Sequence, residues 1–134
     1  MRLVLDTSVL FAAFRLETGF CADLFRDCVL HHELAVSDYI LDELRRHLIG
    51  KAKLDATKTN DLLEAIRSVA LFVTPATVPT DACRDPNDLP ILGTAISANA
   101  AVLVTGDNDL LSLRNFQDVE ILSPREFHTG HSRK

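Results

Sequence analysis

Four short apolar runs, each leading into a stretch of helical or turn-forming residues, constrain this chain more than anything else in it. They are RLVL (2–5), ELAVS (33–37), AVLVT (101–105) and VEIL (119–122), with a fifth, LFV (71–73), closed by Pro75. Each has the length of a strand, and none shows a regularly alternating polar face. Strands of that kind belong in a sheet covered on both sides, which is the signature of a mainly parallel sheet in an α/β fold.

The intervening segments read as helices. From Ser8 to Arg15 the apolar residues Val9, Leu10, Phe11 and Phe14 recur at helical offsets, with Thr7 or Ser8 as the expected N-cap. Gly19 interrupts, and Phe20 to His32 resumes the pattern with Leu24, Phe25 and Cys28. Ser37 and Asp38 should start a helix reaching Ile49, ended by Gly50, whose buried stripe is Ile40, Leu41, Leu44 and Leu48. Thr57 to Val69 and Leu89 to Ala100 are further helices, the latter capped by Asp88 with Pro90 in its first turn. Ser123, Pro124 and Glu126 form a capping box for a last helix, and the tail from about 128 to 134 is expected to fray.

The 134 residues suit one domain, 1–134, with no linker or internal repeat. No apolar run approaches the ~20 residues of a membrane span, and the N-terminus lacks a signal-peptide pattern, so no membrane and a cytoplasmic location are expected. Three cysteines, Cys21, Cys28 and Cys83, have no zinc or disulfide spacing and read as buried free thiols. A net charge of −5 excludes a generally basic, phosphate-binding surface. It leaves room for a local one: Arg45, Arg46, Lys51, Lys53 and Lys58 cluster in an otherwise acidic chain, suited to phosphate contacts.

The acids are placed to meet. Ligands of open parallel sheets bind at the carboxyl ends of the strands, where the following helices begin. Asp6 follows the first run and Asp107 follows the run ending at Thr105. Glu43 lies early in the helix after the second run, and Asp88 begins the helix leading into the third. Each alone has an ordinary explanation as a cap, a turn residue or a solvated acid; their shared rim makes a site the better reading. Carboxylates held together repel unless a cation neutralises them, and an all-oxygen set without His or Cys suits Mg²⁺ or Mn²⁺. Such ions activate water for phosphodiester cleavage. Asp85 and Asp109 lie near enough in sequence to join, and Thr7, Ser8 and Thr105 can support the cluster through their hydroxyls.

The segments LVLDTSVL, LDEL, RDPNDLPILGTAISANA and LVTGDNDLL, in this order across nearly the whole chain, resemble a PIN-domain ribonuclease of the VapC-like toxin type. The resemblance implies a three-layer α/β/α sandwich around a central, mainly parallel sheet, and cleavage of single-stranded RNA with Mg²⁺ or Mn²⁺. It matches Asp6, Glu43, Asp88 and Asp107 to the family's acidic quartet, with Asp109 the additional acid of the last motif. It further implies a cognate antitoxin and a homodimer. Where the family often has Asn, this chain has Ser8. Two other readings follow from the same residues: a non-catalytic module binding RNA or protein through the same cleft, and a phosphatase with Asp6 as nucleophile. The phosphatase reading lacks the second Asp of the DxDx[TV] motif, since the chain has DTSVL.

Overall fold

The computed structural model describes residues 1–16 and 18–131. Among them the strands are β1 (Arg2–Leu5), β2 (Glu33–Val36), β3 (Ala70–Phe72), β4 (Val102–Val104), β5 (Asn115–Phe116) and β6 (Val119–Leu122). The helices are α1 (Thr7–Leu16), α2 (Phe20–His31), α3 (Asp38–Gly50), α4 (Ala56–Val69), α5 (Leu89–Ser97), α6 (Asn108–Leu111) and α7 (Pro124–His131), with a 3₁₀ turn over Pro86–Asp88. No helix among the described residues is long and apolar enough to cross a membrane.

The strands form one sheet in the order β3-β2-β1-β4-β6-β5, parallel except for β5. Helices flank it in a three-layer α/β/α sandwich. The two central strands are the most apolar: Leu3, Val4, Leu5, Val102, Leu103 and Val104 are all buried, as continuous runs covered on both faces must be. Register places Leu3 beside both Leu34 and Val102. The chain leaves β1 still bonded to its neighbour, since the Asp6 N–H donates to the Val104 carbonyl at 2.9 Å. The ends of β1 and β4 therefore lie side by side, and whatever follows each strand shares one rim.

Several boundaries differ from the sequence expectation. The first helix begins at Thr7, and neither Thr7 nor Ser8 caps it. Asp6 precedes it instead, its carbonyl accepting from Val9 and Leu10 and its carboxylate from the Thr7 N–H at 2.6 Å. The third helix runs through Gly50 before Lys51 caps it, a helical conformation glycine tolerates at some entropic cost. The helix expected over 89–100 stops at Ser97, because Asn99 turns into the left-handed region (φ 52°) that Asn accepts more readily than most residues. The two-residue antiparallel strand β5 was not foreseen; it is too short for any periodic signal. The last helix continues to His131, beyond the expected onset of fraying, and residues 132–134 of that expectation lie outside the described residues. Its capping box forms as read: the Glu126 N–H donates to Ser123 Oγ at 3.1 Å, and the Ser123 N–H to Glu126 Oε1 at 2.9 Å.

Candidate active site

The rim of β1 and β4 opens into a cleft of about 290 Å³ whose walls include Asp6, Glu43, Asp88 and Asp107. The four acids foreseen from separate segments thus line one cavity. Asp6 is only 6% exposed, which for a carboxylate demands partners. Thr105 Oγ1 donates to its Oδ2 at 2.7 Å, and Ser8 Oγ reaches the same oxygen at 3.4 Å. Thr105 Oγ1 also accepts the Asp107 N–H at 3.0 Å, so one hydroxyl fixes both acids at the end of β4. Ser8 plays the corresponding part on the other side, accepting the Gly106 N–H at 3.3 Å.

Glu43 comes from the first half of α3 and is held by Thr7, whose hydroxyl donates to Oε1 at 2.5 Å. That bond explains why Thr7 is buried yet does not cap its own helix. Asp88 arrives with the 3₁₀ turn, and two links hold its segment over the sheet. Tyr39 on α3 donates its hydroxyl to the Asn87 carbonyl at 2.8 Å, and Ser37 shares a 2.8 Å hydrogen bond with Thr94 on α5. Asp88 does occupy the N-cap position of α5, with Pro90 in the first turn as expected, but its side chain makes no cap hydrogen bond. Asp85 caps the preceding 3₁₀ turn, accepting the Asn87 N–H at 2.9 Å. Among the described residues no donor faces the buried Asp88 Oδ2. A carboxylate oxygen withdrawn from water without a donor is costly, and functional sites are where such costs gather.

The electrostatics agree. Burial, then the neighbouring Asp107 carboxylate, and then the charges of Asp6 and Asp85 push Asp88 up to about 8. Burial also raises Asp6 above the usual carboxylate range, against the lowering effect of its hydrogen bonds to Thr105 and Thr7; Glu43 and Asp107 raise it further. Protons are thus held where charges repel.

The remaining residues foreseen for the site are distributed unevenly. Asp107 caps α6, its Oδ1 accepting the Asp109 N–H at 3.1 Å. The Asp109 carboxylate stands 3.9 Å from the Arg84 guanidinium. Of the basic stretch, Lys51 lines the cleft, whereas Arg45 bonds Asn60 of α4 at 3.1 Å. Arg46 and Lys53 are exposed, Lys53 on a left-handed loop residue (φ 56°). Two wall residues were not anticipated, Phe11 and His47. His47 carried a signal all the same: Glu43 and His47 are four apart on one face of α3, and Lys51 follows at the same spacing as its C-cap. Burial, with Lys51 and Arg46 nearby, lowers the His47 pKa despite the opposing Glu43. The cysteines are free thiols as expected; Cys28 is buried, which pushes it up to about 12, whereas Cys21 and Cys83 are only half-buried.

Comparison with known proteins joins this geometry to a family. The family model described as the PIN domain matches residues 2–109, a span that includes all four acids. The chain belongs to the PIN-domain family. Among solved structures it resembles a chain of VapBC2 from Rickettsia felis, determined bound to a DNA fragment from its promoter, with 18% identity and a TM-score of 0.63 over 90% of this chain and 97% of that one. It likewise resembles a chain of VapBC-1 from nontypeable Haemophilus influenzae, with 17% identity and a TM-score of 0.61 over 93% and 99% of the two chains. At these identities the likeness is one of fold. No curated protein matches the chain.

A PIN domain with this donor set offers a divalent cation only oxygen ligands, and the unpartnered Asp88 Oδ2 is a natural position for such a contact. Among the described residues no three Asp, Glu, His or Cys side chains already stand close enough to hold one ion. Hydrogen bonds from the Thr105 and Ser8 hydroxyls and the Thr7 N–H preorganise Asp6.

Proposed function

We propose that this PIN domain is a Mg²⁺- or Mn²⁺-dependent endoribonuclease acting on single-stranded RNA, the VapC-like toxin of a toxin–antitoxin pair working in the cytoplasm. The observation that carries the reading is the convergence of Asp6, Glu43, Asp88 and Asp107 on one cleft, with Asp88 held at a pKa of about 8 by burial and by its acidic neighbours. A cluster that strained in its ionised form suits a cation better than a structural role.

Asp6, Asp88 and Asp107 would hold the ion, with Asp109 as an additional acid nearby and Glu43 completing the shell or orienting water. When bound, the ion supplies neutralisation of the scissile phosphate and activation of the attacking water. The protein's own part is positional. Thr105 locks Asp6 relative to Asp107, and Thr7 holds Glu43 across the cleft, where it can accept a proton from that water. Lys51 can pair with a substrate phosphate at the rim, with Arg45, Arg46 and Lys53 further out. An aspartyl-phosphate route is disfavoured because the chain reads DTSVL and lacks the second Asp of the DxDx[TV] motif.

The VapBC likenesses support one partner, a cognate antitoxin; pairing with a second copy of the chain is an expectation of the family resemblance alone. The decisive experiment measures cleavage of defined single-stranded RNAs with Mg²⁺ or Mn²⁺, for the native chain and for Asp6→Asn. The reading requires metal-dependent cleavage that the variant loses while keeping its fold. No cleavage with either metal would leave the chain a binding module, and equal cleavage by the variant would remove Asp6 from the chemistry.

A further inference from the structure

The part of the cleft wall formed by Phe11 and His47 has a character of its own. Phe11 of α1 and His47 of α3 meet edge to face, with ring centroids 6.0 Å apart and planes at 89°. One turn beyond each ring stands a cation. Arg15, four residues after Phe11, places its guanidinium carbon 5.7 Å from the Phe11 ring centroid, and Lys51, four residues after His47, lines the cleft. Two aromatic rings and two cations therefore form a strip across α1 and α3, in a chain whose net charge is −5. Core packing accounts for part of this. Phe11 does pack against the hydrophobic core, yet it is only half-buried and presents surface to the same cavity as the acids, and both cations are exposed.

The geometry points to a nucleotide subsite on this wall: a base next to the scissile phosphate stacks on the Phe11–His47 pair while Lys51 and Arg15 neutralise the adjoining phosphates. This rests on the reading of the cleft as an RNA site and adds how the strand is held. Aromatic side chains grip single strands without regard to sequence because every base has a π-face, and guanidinium planes serve the same purpose. A duplex keeps its bases paired inside and cannot use such a wall. The subsite therefore provides a preference for single strands that carboxylates and a cation alone do not.

The test uses the full chain carrying Asp6→Asn as parent, so that binding is read without cleavage. The probe is a single-stranded RNA octamer bearing one 2-aminopurine, compared with the same octamer annealed to its complement. The parent should bind the single strand in preference and quench the 2-aminopurine. Phe11→Leu, which keeps apolar volume while removing the ring, should weaken single-strand binding by about 5- to 30-fold and relieve the quenching, with duplex binding unchanged. Lys51→Gln, a surface change, should lower the salt slope of binding by about 0.7. Unchanged affinity and quenching in a folded Phe11→Leu variant would overturn the subsite. So would an unchanged salt slope in Lys51→Gln, or a parent that binds no single strand. A native chain that fails to cut RNA while its Asp6→Asn form shows these effects would instead defeat the nuclease reading and leave the subsite standing.

Discussion

Replacing Asp88 by Asn probes the electrostatic reasoning because the two states of this one carboxyl pull stability in opposite directions. Its ordinary pKa is 3.8, and in the folded protein it stands at about 8. Between those values the folded chain holds a proton that the unfolded chain has released, so stability in metal-free buffer falls as pH rises from about 4 to about 8. Below that window both states are protonated, and above it both are ionised, so the group adds no slope outside it. One proton corresponds to at most about 1.4 kcal/mol per pH unit; Asp88 is half-buried, so solvent screening reduces this. The substituted amide copies the neutral form and cannot titrate. The variant should therefore lose up to one proton's worth of slope and be more stable than the native chain in metal-free buffer at pH 8. With Mn²⁺ the order reverses. At about a hundred times its dissociation constant a ligand stabilises by about 2.7 kcal/mol, which for a chain of this size raises Tm by roughly 10 °C. The native protein should show that rise, and Asp88→Asn should lose most of it. Thermal denaturation from pH 4 to 9, with EDTA and with Mn²⁺, reads both effects. A variant with the native pH slope and the native Mn²⁺ shift would refute the reasoning.

Two further substitutions test the scaffold around the site. A Cβ at Gly93 would lie 2.2 Å from the Ala76 carbonyl oxygen, at a point where the Ala76 N–H bonds the Gly93 carbonyl at 2.9 Å. Gly93→Ala should therefore cost more than about 2 kcal/mol, read as a lower midpoint in chemical denaturation, and a midpoint equal to the native one would show that the 75–76 segment yields freely. Thr105→Val keeps the shape of the side chain but removes the hydroxyl that serves Asp6 and Asp107 together. In the RNA cleavage assay it should lower kcat by about 10-fold or more with little change in KM, since it disturbs the acids rather than the strand; a rise in KM alone would place Thr105 in substrate binding.

The central strands were legible because parallel strands buried on both faces must be apolar, as β1 and β4 are at the centre of the sheet and β2 is after Glu33. Helix starts were legible where a side chain does the capping, as Ser37 and Ser123 do. At Thr7 and Asp88 the local rules failed for a shared reason: each side chain was committed to the cleft instead of to its own backbone. Thr7 serves Glu43, and Asp88 leaves the start of α5 without a side-chain cap. Residues that break a local rule in this way are expected at sites where function outweighs local stability. Phe11 and His47 were overlooked because an aromatic residue on an amphipathic helix reads as core and a lone histidine as surface. Only the packing of α1 on α3 brings both into the wall of the cavity that the acids line.

The central claim is that these carboxylates are a cation site, and anomalous diffraction from a crystal soaked in Mn²⁺ tests it most directly. The account predicts a peak in the cleft at about 2.2 Å from oxygens of at least two of Asp6, Asp88 and Asp107, absent from crystals of Asp6→Asn treated alike. Full occupancy elsewhere on the surface with none between these acids would contradict it.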